Sequence, residues 1–303
     1  MPKAKNDSLR EKCPICPSFG YKVIYPSSVN FGKDLNGRTF SARRFPDRVH
    51  GTIVKCNKCG LVRTLEIIDS HQLSALYHNS QFTYNSLIDN LRFSYAKIVQ
   101  EALRYSKRKN NFLDIGCGNG FMLEEAQKIG FKKVYGIEPS WNAISKAGKS
   151  VKSNIKHDIL RPGIFNKNSF DVITVFQVFD HIPDPNHFLK ICLTLLRPKG
   201  VLVLMNHDVE SIFARVLGEK SPIIDIEHTY FYSQKTIAKI LRKNGYRLLK
   251  AYSPSAKISI RYLMRLLPLP NNIKRSIQNS NIKPLDINLT IKLGNICAIS
   301  TKR

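Results

Sequence analysis

The 303-residue sequence predicts an α/β fold with a small metal-binding module ahead of it, and three observations carry that expectation. The segment Asn111 to Gly120 reads as a buried strand running into a glycine turn, and a helical pattern, Phe121 to Ile129, follows and is ended by Gly130. A second strand pattern, Lys133 to Ile137, follows that helix and closes on Glu138, so strand and helix alternate as they do around a parallel sheet. Near the N-terminus two Cys-x-x-Cys pairs stand apart from this alternation. With 43% hydrophobic residues the chain can bury one sizeable core and support a smaller unit beside it.

The first unit is assigned to residues 1–75. Cys13-Pro14-Ile15-Cys16 and Cys56-Asn57-Lys58-Cys59-Gly60 each put two thiols on one tight turn, and together they make the four ligands of a tetrahedral zinc site. Cys13, Cys16, Cys56 and Cys59 would fill the coordination sphere and leave no position for water or substrate, so the zinc is expected to be structural. Alternating runs at Tyr21 to Tyr25 and Thr52 to Val54 predict the strands of a ribbon. Between the pairs, Lys33, Arg38, Arg43, Arg44 and Arg48 interleave with Phe31, Phe40 and Phe45, a mixture suited to gripping phosphates and stacking on bases or sugars, and equally to an exposed loop with core anchors. Seven cysteines is an odd number, which with the two pairs favours a metal site in a reducing compartment over a disulfide framework. Met1 to Lys12 is polar with no apolar signal region, and no run approaches the roughly 18 apolar residues of a membrane span, so the expected location is the cytoplasm.

Charge points outward from the fold. Lys plus Arg total 48 against 22 Asp plus Glu, a formal net charge of +26. An anionic partner follows as an expectation, with nucleic acid, a membrane surface, a phosphorylated substrate and no specific partner all open, because net charge governs association rather than fold.

The second unit, residues 111–303, is entered through a helical linker or lid over 76–110, with a polar helix-like stretch from Tyr84 to Lys109. Its glycine turn at a helix N-terminus is a Rossmann-like nucleotide-binding element. A dinucleotide fingerprint would need glycine where Phe121 stands, and pyrophosphate disfavours a carboxylate as close as Asp114. S-adenosylmethionine reverses both preferences: it has no phosphate, and its amino group and sulfonium are cationic. Glu138, at the next strand end, can accept from both ribose hydroxyls of either cofactor.

From Leu113 to Gly120 the chain resembles motif I of the class I S-adenosylmethionine-dependent methyltransferases. Gly136-Ile137-Glu138-Pro139-Ser140, His157-Asp158-Ile159-Leu160, Phe170 to Ile173 leading to Asp180-His181-Ile182-Pro183-Asp184-Pro185, and Leu196-Arg197-Pro198-Lys199-Gly200 before Val201 to Met205 resemble the later motifs in order. Val54 to Val62, Tyr77 and Glu227-His228-Thr229-Tyr230-Phe231-Tyr232-Ser233, before a helix that closes at Gly245-Tyr246, narrow the likeness to a subgroup with an N-terminal zinc ribbon, associated with surface-polysaccharide and nucleotide-sugar methylation. It departs from that pattern in Asp180, where glutamate is frequent, and in Asn206-His207, where proline-asparagine is frequent.

The resemblance implies a seven-stranded class I methyltransferase sheet. Asp114, Gly116 and Gly118 would face the methionine portion of S-adenosylmethionine, Glu138 the ribose, Asp158 and Ile159 the adenine, and Gln177 the methyl-donor crevice. A hydroxyl acceptor needs a base, for which His181 and His228 rank together and His207 below them. Ile258, Tyr262, Leu263, Leu266 and Leu267 fall near one helical face within an insertion over about 254–284, suited to core cover, a lid, a dimer contact or a peripheral membrane helix; oligomeric state stays open. Ile287 to Ile299 resembles the family's terminal antiparallel strand pair. The expected acceptor is a small molecule, a saccharide or nucleotide sugar; the competing expectations are a ribosomal or transfer RNA methyltransferase and a cofactor-binding module without catalysis.

Overall fold

A computed structural model describes residues 12–29, 49–68, 88–267, 269–280 and 282–303. The basic and aromatic positions from Phe31 to Arg48, Tyr77, and the junction at residue 75 lie outside the described residues. Three antiparallel strands open the chain: β1 (Tyr21–Tyr25), β2 (Ile53–Cys56) and β3 (Val62–Thr64). The β2–β3 turn carries the second cysteine pair, and Gly60 closes it at φ 81° with its N–H donating to the Cys56 carbonyl (3.0 Å).

Helix α1 (Ile88–Ala102) leads to the main unit. There β4 (Asn111–Ile115), α2 (Phe121–Ile129), β5 (Lys133–Glu138), the short helices α3 (Trp141–Ser145) and α4 (Lys149–Lys152), and β6 (Ile155–His157) wind to one side. Strand β7 (Phe170–Phe176), α5 (Pro185–Leu195) and β8 (Leu196–His207) wind to the other. After α6 (Ile212–Leu217), β9 (Tyr230–Phe231) and α7 (Gln234–Lys243), strand β10 (Tyr246–Tyr252) returns to the sheet edge. An excursion of β11 (Ala256–Ser259), α8 (Ile260–Leu266), α9 (Asn271–Asn279) and β12 (Asn288–Ile291) precedes the last strand, β13 (Asn295–Lys302).

The large sheet runs β10-β13-β8-β7-β4-β5-β6, seven strands as predicted. All neighbours are parallel except β13, which is antiparallel to both β8 and β10. Strand order reverses between β4 and β7, and a crevice at the carboxyl ends of the strands opens at that switch point. Strand β7 is buried at all seven positions, as a strand covered by helices on both faces must be. Each large apolar side chain in this sheet contributes about 1.5–3 kcal/mol by leaving water.

Two sequence expectations change here. Ile287 to Ile299 is not one strand pair: β12 pairs with β11 in a separate two-stranded sheet, while β13 lies between β8 and β10. The helix expected from Ile258 starts at Ile260, because Ile258 pairs with Leu289 across β11–β12 and Ser259 caps the helix by accepting from the Tyr262 N–H.

The ribbon and the large unit share structure. Strand β9 adds to the ribbon sheet, pairing Val62 with Phe231 and Arg63 with Tyr230, so the order is β1-β2-β3-β9. Cys13, Cys56, Cys59 and Leu61 lie in the same hydrophobic cluster as Leu113, Phe179, Tyr230, Tyr232 and Ile237.

Candidate functional site

The predicted cofactor residues converge. Motif I bends out of β4 at Gly116, whose φ of 73° is in the left-handed region; a Cβ there would stand 2.4 Å from Val178 Cγ2. Gly118 (φ 56°) brings its N–H to Glu138 Oε2 (2.8 Å), and Ser140 N–H donates to Oε1 (2.8 Å), so the β5 carboxylate is oriented by two backbone donors. Gly136 is confined as well, since a Cβ would meet Cys117 Sγ at 2.6 Å.

Asp114 and Glu138 are both buried, at 4% and 8% exposure. Among the described residues neither forms an ion pair with Lys or Arg. Burial pushes Asp114 up to about 7, with the Thr174 hydrogen bond (Oγ1 to Oδ1, 2.6 Å) opposing and the Glu138 charge adding to the rise. Burial also raises Glu138, against its two backbone donors and the pull of His157. Two buried carboxyls with no Lys or Arg against them form a cradle that suits a cationic, hydroxyl-bearing ligand, which is the chemistry of S-adenosylmethionine. Asp158 accepts from the Ile159 N–H (2.8 Å) and from Arg161 Nε (2.9 Å), and Ile159 is 39% exposed at the cavity edge.

Gln177 follows β7 with φ 56°, its N–H donating to the Met205 carbonyl (2.7 Å) and its Nε2 to Asn295 Oδ1 (3.2 Å); Oε1 has no hydrogen-bond partner. From Asp114, Glu138 and Asp158 the cavity, about 700 Å³, continues past Gln177 to His181, His207 and His228. The three histidines are neighbours although they come from three loops: ring centroids lie 4.7 Å apart for His181 and His228, and 5.2 Å for His207 and His228. Asp180 packs against two of them, with Oδ1 3.6 Å from His181 Nε2 and Oδ2 3.8 Å from His228 Nε2. Burial, then the adjacent His181, push the His228 imidazolium down to about 3, so this ring is neutral at ordinary pH.

Sequence reasoning missed two contributors. Thr174 gives no signal because its strand is uniformly apolar around it. Asp180 was visible only as a departure from a family pattern, while its burial at 2% exposure is a tertiary fact. The insertion lines the cavity through Ala256, Ile258, Tyr262, Arg265 and Leu266.

At the other end of the ribbon, Cys13 Sγ lies 3.4 Å from Cys59 Sγ and Cys16 Sγ 3.6 Å from Cys56 Sγ, far beyond the roughly 2.05 Å of a disulfide. All four sulfurs lie within 4.8 Å of one another. Four ligands about 2.3 Å from a tetrahedral zinc would stand roughly 3.8 Å apart, so the donor set fits that ion. Burial raises the Cys13 and Cys59 thiols; Cys56, despite burial, is brought down to about 6 by the N–H groups of Cys59 and Lys58.

Among curated proteins, the chain is 28% identical over 152 residues to the ubiquinone biosynthesis O-methyltransferase of Haemophilus ducreyi, covering 46% of this chain and 62% of that protein. It is 31% identical over 112 residues to the enzyme of the same name from Rhodopseudomonas palustris, covering 35% and 44%. The chain thus spans less than two thirds of these relatives' length. Among solved structures, a chain in the complex of the Haloferax volcanii Trm112 methyltransferase activator with a methyltransferase superposes at a TM-score of 0.50 with 15% identity, covering 72% of this chain and 95% of that one, a likeness of fold. Residues 88–251, from α1 to β10, match the family described as methyltransferase domain. With that match over more than half its length, on the sheet order and glycine turn described above, the chain belongs to the methyltransferase domain family.

Proposed function

We propose that the chain catalyses methyl transfer from S-adenosylmethionine to a hydroxyl of a small-molecule acceptor, a saccharide or nucleotide sugar. The observation that carries this reading is the continuity of one cavity from the Asp114–Glu138 cradle to the histidine cluster. Asp114, Gly116 and Gly118 would hold the methionine portion, Glu138 the ribose, Asp158 and Ile159 the adenine, and Gln177 the crevice between donor and acceptor. S-adenosylmethionine supplies an electrophilic methyl with a good leaving group, so the protein's task is alignment and exclusion of water. A hydroxyl must also lose its proton, and that activation falls to the cluster of Asp180, His181, His207 and His228. Zinc held by Cys13, Cys16, Cys56 and Cys59 is structural.

A sugar is favoured by the polar convergence at the acceptor end, where Gln177, His181, His207, His228 and Glu227 line the cavity. Such groups recognise hydroxyls. A phenolic hydroxyl is the second reading, supported by the apolar wall of Phe213, Ile223, Ile258, Tyr262 and Leu266. A labelled-methyl screen over nucleotide sugars, phenols and RNA tests both. The expected result is a labelled nucleotide sugar, with His181→Ala or His228→Ala lowering turnover about a hundredfold or more at nearly unchanged cofactor affinity. Labelled RNA with steeply salt-dependent affinity, or normal turnover in both variants, would overturn the saccharide assignment.

A further inference from the structure

We infer that Asp180, His181 and His228 form a second metal site, distinct from the cysteine cluster, which takes a first-row divalent cation such as Mn²⁺ at the acceptor end of the cavity. The inference rests on the methyl-transfer reading for its purpose, and on three observations for the site itself.

The first is spacing. One ligand atom from each residue can be chosen so that all lie within 4.8 Å of one another. The two carboxylate–imidazole separations, 3.6 and 3.8 Å, are too long for hydrogen bonds, yet ligands about 2.1 Å from a shared ion stand roughly 3.0 to 4.2 Å apart. The second is an unmet demand. Asp180 is 2% exposed, and neither of its carboxylate oxygens has a hydrogen-bond partner. A buried carboxylate in that condition costs free energy unless something cationic sits against it, and its nearest neighbours are two imidazoles rather than Lys or Arg. The third is access. His181 and His228 line the cavity, with side chains 13% and 11% exposed, so a bound ion would keep coordination positions open toward the acceptor. Two histidines and one carboxylate with open positions is an established donor set for first-row divalent ions.

The fold imposes this meeting. Asp180 and His181 sit in a turn after β7, and the Asp180 carbonyl accepts from the Thr229 N–H (2.9 Å), which fixes the segment carrying His228 beside it. The ion would act as a Lewis acid on the acceptor oxygen. In the step it serves, the acceptor hydroxyl gives its proton to His207, the cavity-lining histidine of the cluster that is not a ligand, and an oxygen lone pair forms the new C–O bond. The S–CH₃ bond breaks with its electron pair staying on sulfur, so a sulfonium becomes a neutral thioether without redox change.

The test is Mn²⁺ titration of the full-length, zinc-loaded chain, read by electron paramagnetic resonance of free Mn²⁺. One saturable site is expected, weakened at least tenfold by Asp180→Asn and by His228→Gln and unchanged by His157→Gln at the cofactor end. Calorimetric S-adenosylmethionine binding, retained in both weakened variants, shows that they fold. Absence of a saturable Mn²⁺ site, or equal affinity in Asp180→Asn and wild type, would overturn the inference. If Mn²⁺ binding fails while the chain methylates an acceptor in the presence of a chelator, the methyl-transfer reading stands and the metal site alone falls.

Discussion

Asp114 shows how burial shifts the charge state of a side chain at the proposed cofactor site. An acid whose folded pKa, about 7, exceeds its unfolded value near 3.9 contributes stability that is complete below pH 4 and lost as the pH rises through 7. The ligand-free chain is therefore expected to lose thermal stability between pH 4 and 7 through this group, and Asp114→Asn to remove that part of the pH dependence in calorimetric melts. Cofactor affinity is expected to rise with pH over the same window, by up to about tenfold per unit, because the ionised carboxylate meets a cation. Affinity independent of pH from 5 to 8 would count against a cationic ligand at Asp114. Glu138→Ala is expected to weaken S-adenosylmethionine by about 1.5–3 kcal/mol, the range for removing a charged hydrogen-bond partner, measured by calorimetry. Gly116→Ala combines a positive φ with a Cβ 2.4 Å from Val178 and is expected to lower both the melting temperature and cofactor affinity.

At the scale of elements, the cysteine ribbon is joined to the histidine end of the cavity through one strand. The Thr64 N–H donates to the Thr229 carbonyl (3.0 Å), Tyr230 Oη donates to the Pro183 carbonyl (3.1 Å), and Lys239 Nζ reaches the Cys59 carbonyl (3.0 Å). Residues 227–233, which carry His228, are thus held between β3 and the Asp180 turn. Zinc withdrawal, by chelation or by Cys56→Ser with Cys59→Ser, is expected to speed amide hydrogen exchange in 227–233 by at least tenfold and to leave 111–138 protected. Equal protection of 227–233 with and without metal would show that the ribbon is only a neighbour. The strand–turn–helix of motif I was legible in order, with the helix bounds Phe121 to Ile129, because its signals are local: an apolar run, a glycine turn and a helix stop at Gly130. Strand β9 was not, because two residues carry no periodicity and pair only with a partner more than 160 positions away.

For the whole molecule, the expected metal content is one zinc per chain in the cysteine cluster, measured by elemental analysis and lost in Cys16→Ser with Cys59→Ser. The net charge of +26 makes salt a discriminating variable. A nucleotide-sugar acceptor offers two phosphates and a shallow salt dependence of KM, whereas RNA neutralising several phosphates gives a steep one. No helix among the described residues is long and apolar enough to cross a membrane.

The sequence by itself determined the cofactor end of the cavity and the two cysteine pairs. In both, the chemistry lies within short stretches whose spacing dictates a turn, and the parallel α/β winding follows from alternating hydrophobic patterns. Tertiary structure decided the histidine end. His181, His207 and His228 stand on separate loops, Asp180 is made consequential by burial, and part of the cavity lining comes from an insertion between β10 and β13. Those residues meet because strand order reverses between β4 and β7 and because β9 pairs with the ribbon. Contacts of that sequence separation leave no periodic trace in the chain; they exist only once the sheet has closed the distance.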